Sequence, residues 1–272
     1  KPLAEDVKLK VIAQRTTGFS GADLENLLNE AALLAARDNK KKVTMEEIAE
    51  AVDRVIAGPQ KRSKVISEKE RKLVAFHEAG HVICGYYVEN ADTVHKVTII
   101  PRGQAGGYAM MLPKEDRYIA TKSELLDRVT GLLGGRVAEE IVFGEVSTGA
   151  SNDFEKATNI VRSMITEYGM SDKLATMQFG KTQGEVFLGR DLGHEKNYSD
   201  QVAFEIDMEM QGMIRYCYDR ARKLIEKHRD KLDLLSQALL THETLDEEQI
   251  TELLETGKLS DRPTNVKVNI GG

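Results

Sequence analysis

The sequence has little of several features that mark other classes of protein. It contains no tryptophan and only two cysteines among 272 residues, which argues against a disulfide framework and fits a reducing compartment. Lysine and arginine do not exceed the acidic residues, and the net charge of −6 supplies no basic surface for nucleic acid. The sequence has no apolar run of the roughly 18 residues that a membrane helix needs, and no secretory signal peptide.

What is present describes an ordinary globular protein. Hydrophobic residues make up 41% and charged residues 30% of the chain. This is enough apolar material for one large domain or two moderate ones, and we expect the chain to be soluble. Because the first residue is Lys1 rather than methionine, we expect a fragment of a longer protein, in whose missing part a membrane anchor can lie.

The most informative stretch is residues 76–81, Phe-His-Glu-Ala-Gly-His, within a long predicted helix. His77 and His81 are one helical turn apart, so both imidazoles leave the same face and can bind one tetrahedral Zn²⁺. Glu78 lies about 100° further round the helix, where it can take a proton from a water bound by that ion rather than complete the chelate. A chance match in a charged helix is the alternative.

The surroundings of this motif favour a buried site over a chance match. Ser67 and Glu70 have the spacing of a capping box, which predicts that the helix begins there. Apolar residues such as Leu73, Phe76 and Ile83 then cover most sides of the helix, as in a core. Two histidines and a glutamate in such a helix need polar partners, and metal ligation supplies them.

The rest of the chain predicts a mainly α fold with a small β element. The predicted domains are a helical unit at 1–58, a polar linker at 59–66, a mostly helical domain at 67–256 and a flexible tail at 257–272. The predicted elements are helices at 6–16, 22–38, 44–58, from 67 onward, 121–143, 151–168, 199–241 with a break near 229, and from a capping box at 244–247; strands at 91–100 and 106–112; and short strands or loops at 176–189.

Catalytic zinc generally has three protein ligands and one water, so the two histidines need a third partner. Cys84 projects from nearly the same face, but its Cα lies about 10 Å along the helix from that of His77. A core cysteine is therefore the better interpretation. Four carboxylates further along the chain remain as candidates, and spacing does not choose among them: Glu139, Glu140, Glu145 and Asp153.

Two further features each allow two interpretations. Glu140 falls among apolar residues of its predicted helix, one turn after Arg136. It either pairs with that arginine or orients a metal-binding imidazole through a hydrogen bond. The strands predicted at 91–100 and 106–112 either form a packing hairpin or offer an exposed strand that pairs with an extended peptide substrate.

A first resemblance concerns the beginning of the chain. Residues 17–24, Thr-Gly-Phe-Ser-Gly-Ala-Asp-Leu, followed by Asn-Glu-Ala-Ala at 29–32, resemble the helical lid of AAA ATPases. The resemblance implies that Gly21 and Ala22 lie against a nucleotide when the ATPase core is present. The chain has no Gly-x-x-x-x-Gly-Lys-[Ser/Thr] sequence, so we expect no ATP hydrolysis by this chain alone.

Three further segments extend the resemblance. They are the motif at 76–81, Gly-Gly-Arg-Val-Ala-Glu-Glu at 134–140 and Ser-Thr-Gly-Ala-Ser-Asn-Asp at 147–153. Together with the lid before them, these segments resemble the FtsH family of membrane-anchored AAA zinc proteases over roughly residues 1–256. The resemblance implies that Asp153 is the third zinc ligand. It also implies a metalloendopeptidase with Glu78 as general base.

By the same resemblance, the full-length protein is expected to use ATP and Mg²⁺ as a homohexamer that degrades unfolded, misfolded and membrane proteins. The implied location is the cytoplasmic side of a bacterial cell membrane, or an organellar membrane in a eukaryote, through segments absent from this chain. Its expected partners are polypeptide substrates and not nucleic acid. The competing interpretation is a non-catalytic helical assembly module with a structural zinc bound by four protein ligands.

Overall fold

The computed structural model describes residues 1–61, 66–90, 92–103, 105–112, 119–174, 176–180 and 197–260. The predicted linker at 59–66, the loops or strands at 176–189 and the tail at 257–272 therefore lie partly or mostly outside the described residues. Within the described ranges, no helix combines the length and the apolar character that crossing a membrane requires.

The prediction of a mainly α fold with a small β element is confirmed. The described residues form nine helices and a three-stranded sheet. In chain order the elements are α1 (Leu9–Arg15), α2 (Gly21–Arg37), α3 (Met45–Ala57), α4 (Glu68–Tyr87), β1 (Thr93–Thr98), β2 (Tyr108–Leu112), α5 (Lys122–Phe143), α6 (Ser151–Thr166), α7 (Asp200–Lys227), α8 (Arg229–His242), β3 (Thr244–Asp246) and α9 (Glu247–Thr256).

The first three helices share a core in which Leu27, Ile48 and Val52 are buried, and Met110 of β2 also belongs to it. Reciprocal hydrogen bonds fix the start of α2. The Ser20 hydroxyl accepts one from the N–H of Asp23, and the Asp23 carboxylate accepts one from the N–H of Ser20. The predicted start of this helix is therefore correct to within one residue.

The first helix is shorter than predicted, since α1 covers Leu9–Arg15 rather than 6–16. The reason lies in the side chain of Asp6. Its carboxylate accepts a hydrogen bond from the N–H of Met45 at the start of α3, so Asp6 caps a different helix from the one it precedes. Local spacing carries no signal for such a contact.

The larger unit is built around α4, whose residues 75–85 are all buried. The Ser67 hydroxyl accepts a hydrogen bond from the N–H of Glu70, so the helix begins where predicted. α4 packs against α5, α7, α8 and the sheet. It crosses α5 closely, because a Cβ atom on Gly80 would lie 2.4 Å from the carbonyl oxygen of Gly134, and a side chain there does not fit.

The sheet is antiparallel, with β1 between β2 and β3. β1 and β2 are the two predicted strands, and their register shifts between Val94 and Lys96. The predicted cap at Thr244 is wrong, because Thr244 pairs with Thr98 as part of β3. The N-cap of α9 is Asp246, whose carboxylate accepts a hydrogen bond from the backbone further along the helix.

The small helical unit meets the sheet through buried charges. Asp53 of α3 is 1% exposed. Its carboxylate lies 3.2 Å from the guanidinium of Arg15 and 2.5 Å from the ammonium of Lys96 in β1. Arg102, which follows β1, lies 3.6 Å from the same carboxylate and 2.6 Å from Glu50. The two units therefore share a buried ionic cluster.

Candidate metal centre

Two histidines of α4 face the same point. Nε2 of His77 lies 3.1 Å from Nε2 of His81, because residues four apart on a helix leave the same face. Both residues are buried, with exposed fractions of 7% and 8%. The structure thus brings the two ring nitrogens within reach of one ion.

Asp153 completes a group of three. It lies in the first turn of α6, and its Oδ2 atom is 3.4 Å from Nε2 of His77 and 3.4 Å from Nε2 of His81. Among the histidine, cysteine and acidic side chains of the described residues, these three lie close enough together to hold one metal ion, with their ligand atoms within 4.8 Å of one another. They come from two helices that are far apart in the sequence.

The remaining candidates lie elsewhere. Glu145 is exposed and faces Lys69 at 3.8 Å. Cys84 is fully buried in the apolar core around α4, as predicted. Neither side chain belongs to the group around the two histidines.

Neither interpretation of Glu140 is correct. Its carboxylate accepts hydrogen bonds from the hydroxyl of Tyr218 and from the guanidinium of Arg222 on α7. Arg136 instead donates to the carbonyl oxygen of Ser147 at 2.6 Å. Glu140 therefore ties α5 to α7 and has no contact with the histidines.

The neighbouring carboxylate, Glu139, contacts the site. Nδ1 of His77 donates to its Oε1 atom at 2.6 Å, and Glu139 is fully buried. This bond keeps the proton on Nδ1 and leaves the lone pair of Nε2 for a metal. Nδ1 of His81 lies 2.9 Å from the carbonyl oxygen of Gly131 and is fixed in the same way. Sequence reasoning missed Glu139 in this role.

The geometry and the chemistry of the three donors fit a zinc ion. Two imidazole nitrogens and one carboxylate oxygen are a common catalytic zinc set, and donors at tetrahedral zinc distances lie on the order of 3.3 Å apart. The space beside them depends on Gly135 of α5, where a Cβ atom would lie 2.6 Å from Nε2 of His77 and 2.7 Å from Nε2 of His81. A glycine therefore keeps the pocket open.

Charges within the group shift two pKa values. Burial acts to lower the pKa of His77, but hydrogen bonds with Asp153 and Glu139 outweigh it and raise the pKa of His77 to about 10. Burial acts to raise the pKa of Asp153, but contacts with His77 and His81 hold the pKa of that carboxyl well below its usual range. Without a metal ion, the carboxylates of Asp153 and Glu139 thus favour a protonated His77 between them. A divalent cation would supply positive charge at the same place.

Glu78 lies beside this group rather than in it. Its side chain is 5% exposed, and burial raises the pKa of its carboxyl. A Cβ atom on Gly107 would lie 2.9 Å from Oε1 of Glu78, which places the carboxylate against the residue before β2. Glu78 thus lies between the two histidines of α4 and the start of β2.

The predicted nucleotide-binding pair lies in the other unit. Gly21 and Ala22 are the first two residues of α2, and both are exposed. A Cβ atom on Gly21 would meet no atom within 4 Å. Among the described residues, none therefore covers Gly21, and the start of α2 is accessible to a bound molecule.

Comparison with protein families gives two matches. A family model described as peptidase family M41 matches residues 64–253. A second, described as an AAA+ lid domain, matches residues 6–50. The first range contains all the residues of the candidate metal centre, and the second contains Gly21 and Ala22.

The chain is similar to bacterial proteins named ATP-dependent zinc metalloprotease FtsH. It is 63% identical over 278 residues to that of Bacillus subtilis (strain 168), covering 99% of this chain and 44% of the relative. It is 63% identical over 262 residues to that of Alkalihalophilus pseudofirmus, covering 96% and 39%, and 51% identical over 255 residues to that of Thermotoga maritima, covering 93% and 42%. The chain spans less than half the length of these relatives. The resemblance indicated by the motifs is confirmed.

Proposed function

The chain belongs to peptidase family M41 and is a zinc metalloprotease, and from this premise we propose that His77, His81 and Asp153 hold its Zn²⁺. The separation of the donor atoms supports this most directly: 3.1 Å between the two Nε2 atoms and 3.4 Å from each to Oδ2 of Asp153. Glu78 is the general base for peptide hydrolysis.

The chemistry divides between the ion and the protein. When bound, Zn²⁺ supplies a Lewis acid that polarises a carbonyl group and lowers the pKa of water to about 7. Glu78 accepts a proton at a carboxylate oxygen and later passes it to the leaving amine. Because burial raises the pKa of Glu78, its carboxyl is better matched to both transfers near neutral pH. Glu139 holds the Nδ1 proton of His77 throughout.

The edge of the sheet supports binding of an extended substrate. β2 is an edge strand because β1 lies between it and β3, and Gly107 before it lies against Glu78. A polypeptide that pairs with β2 would pass beside the Glu78 carboxylate. The proposed substrates are therefore flexible polypeptides, since the extended segments of a stable folded protein are already paired with neighbouring strands and few are free to bind β2.

The domain division follows the same proposal. Residues 1–58 form the AAA lid and 67–256 the protease domain, while the linker at 59–66 and the tail at 257–272 lie partly or mostly outside the described residues. Most of the apolar residues in the core of α1–α3 come from the first 58 residues, with Met110 of β2 added to them, which supports a lid unit at this end of the chain.

The longer protein is proposed to be an ATP-dependent processive protease. It uses ATP and Mg²⁺ in a homohexamer and degrades unfolded, misfolded and membrane proteins. In that protein, Gly21 and Ala22 contact the nucleotide beside the ATPase core. Its membrane anchor places it on the cytoplasmic side of a bacterial membrane, or on an organellar membrane in a eukaryote. The names of the relatives and the match to an AAA+ lid domain support this proposal.

A metal analysis combined with a casein-cleavage assay tests the function. The purified chain is expected to carry one zinc per chain and to cleave casein without ATP. A chelator should abolish cleavage, and added Zn²⁺ should restore it. Zinc that stays bound in a chain that cleaves nothing would favour the assembly module, whose structural site needs four protein ligands. The described residues supply three.

A further inference from the structure

The three proposed ligands must be positioned by more than their own helices. His77 and His81 belong to α4, whereas Asp153 belongs to α6, and α5 packs against both. The N-cap of α6 is Ala150, whose side chain makes no capping hydrogen bond. The carboxylate of Asp153 faces the histidines instead. The position of this helix start therefore depends on the loop that precedes it.

That loop is held at Ser147 by two residues of α5. The N–H of Ser147 donates to Oε2 of Glu139 at 2.8 Å, and its hydroxyl donates to Oε1 at 2.9 Å. Its carbonyl oxygen accepts from Arg136 at 2.6 Å. The same hydroxyl accepts from the N–H of Gly149 at 3.1 Å. Every polar group of Ser147 is thus used, six residues before Asp153.

The carboxylate that holds Ser147 is also the one that orients a ligand. Oε1 of Glu139 accepts both the Ser147 hydroxyl and Nδ1 of His77. Since Glu139 is fully buried, water does not readily replace a donor that is lost there. One chain of hydrogen bonds therefore runs from the loop before Asp153 to the imidazole of His77.

We propose that Ser147 is a positioning residue of the metal site. Its hydroxyl aligns the Glu139 carboxylate on His77 and fixes the loop that delivers Asp153, so that one side chain sets two ligands from different helices. This inference rests on the proposed zinc site. The competing explanation is that the backbone contacts of Ser147 suffice to hold the loop and the hydroxyl adds only local stability.

The variant Ser147→Ala separates the two explanations, because it removes the hydroxyl and keeps both backbone contacts. Ser147→Thr restores a hydroxyl. Ser163→Ala is the matched control, since the Ser163 hydroxyl of α6 contacts the exposed Glu167 and not the site. Each variant is measured by zinc competition against a chromogenic chelator, by the visible spectrum of the Co²⁺-substituted chain, and by kcat and KM for a fluorogenic peptide.

We expect Ser147→Ala to weaken zinc binding by roughly 10-fold to 100-fold, the usual effect of removing a group that orients a ligand. The Co²⁺ spectrum should change because the ligand geometry changes. kcat should fall with little change in KM, since the edge strand that binds the peptide is untouched. Ser147→Thr should recover most of the affinity, and Ser163→Ala should match the parent.

An unchanged zinc affinity and Co²⁺ spectrum in a folded Ser147→Ala chain would overturn the inference while leaving the proposed zinc site intact. A parent chain that binds no zinc would instead refute the proposed function. Circular dichroism checks the fold of each variant. If Ser147→Ala does not fold, Ser147→Val takes its place, and a zinc affinity equal to that of Ser147→Thr, which has the same shape and differs by the hydroxyl, would equally count against the hydroxyl.

Discussion

Glu139 accepts a hydrogen bond from Nδ1 of His77 at 2.6 Å across a separation of 62 residues. The contact joins the two most closely packed helices of the larger unit, α4 and α5. A carboxylate in this position makes the imidazole more basic and fixes its orientation. His77 is thus directed toward Asp153 by a group that is not itself one of the three proposed ligands.

Replacing Glu139 by glutamine should weaken zinc binding by roughly 10-fold to 100-fold. The amide keeps the shape but loses the charge, and its NH₂ group cannot accept from Ser147. Glu140→Gln is the control, because the neighbouring carboxylate contacts Tyr218 and Arg222 instead. Zinc competition against a chelator measures both. Equal affinities for the two variants would remove Glu139 from the role given to it.

The sequence predicts part of this site and not the rest, for a physical reason. Helical geometry alone brings His77 and His81 together, since four residues make one turn. Asp153 lies on another helix, so its approach depends on packing that spacing does not encode, and only the resemblance selected it. Glu139 and Glu140 are about 100° apart on one helix. The pattern of apolar residues suggests Glu140 as the carboxylate that orients an imidazole, whereas Glu139 makes that contact.

The fold shows the same division. Helix starts at Ser20 and Ser67 follow from side chains that bond within three residues, and the sequence predicts both. β3 is three residues long, too short for an alternating pattern, and it exists because β1 offers it an edge. Asp6 caps a helix that begins 39 residues later. Contacts of this kind join residues that are far apart in the sequence and form only when the core is packed, so local patterns do not predict them.

Glu78→Gln and Asp153→Ala should separate proton transfer from metal binding. Glu78→Gln keeps all three donors and should retain zinc, while peptide cleavage falls by about 10²-fold to 10⁴-fold because the general base is lost. Asp153→Ala removes a donor and should lose both zinc and cleavage. Metal analysis and a casein assay measure the pair, with the exposed Asp172→Ala as control. Cleavage at the parental rate by Glu78→Gln would exclude Glu78 as the base.

Zinc binding at neutral pH should release at least one proton per ion, one from His77 and a further fraction from a zinc-bound water whose pKa is about 7. The metal-free His77 has a pKa raised to about 10, so it is protonated at pH 7 and must lose that proton to bind the ion. The pKa of Asp153 is lowered, so this carboxyl is already ionised and contributes none. Apparent affinity should therefore rise by at least tenfold per pH unit between pH 6 and 8.

Titration calorimetry in buffers of different ionisation enthalpy measures the release directly. The observed heat should vary with the buffer in proportion to the number of protons released. A heat that does not depend on the buffer would contradict this prediction, because it would mean that His77 is already neutral in the metal-free chain and that no proton leaves a bound water.

Asp53→Ala should destabilise the chain by about 3–5 kcal/mol, because it leaves buried cations without their shared carboxylate. Arg15 and Lys96 lie 3.2 Å and 2.5 Å from that carboxylate, and Asp53 is 1% exposed. Urea unfolding followed by circular dichroism measures the change. Asp38→Ala is the control, since Asp38 pairs with Arg37 at the exposed end of α2 and its loss should have little effect. Similar stabilities for the two variants would contradict a cluster that joins the two units.

The pair Gly135→Ala and Gly131→Ala tests how α5 makes room for the ion. A Cβ atom on Gly135 would lie 2.6 Å from Nε2 of His77 and 2.7 Å from Nε2 of His81, whereas one on Gly131 would meet no atom within 4 Å. Both positions are inside the same helix, where alanine is favoured over glycine by roughly 0.5–1 kcal/mol. Gly131→Ala should therefore bind zinc normally and melt at a slightly higher temperature.

Gly135→Ala gains the same helix preference but forces both imidazoles away from their positions. It should stay folded, because the histidines can shift within a metal-free site, and yet bind zinc at least 10-fold more weakly. Chelator competition and thermal melts, with and without Zn²⁺, separate these effects: the parent and Gly131→Ala should be stabilised by the ion, and Gly135→Ala should not. Since the two substitutions differ only in what the new methyl group touches, a zinc-dependent melt in Gly135→Ala equal to that of Gly131→Ala would mean that the ion does not sit beside Gly135.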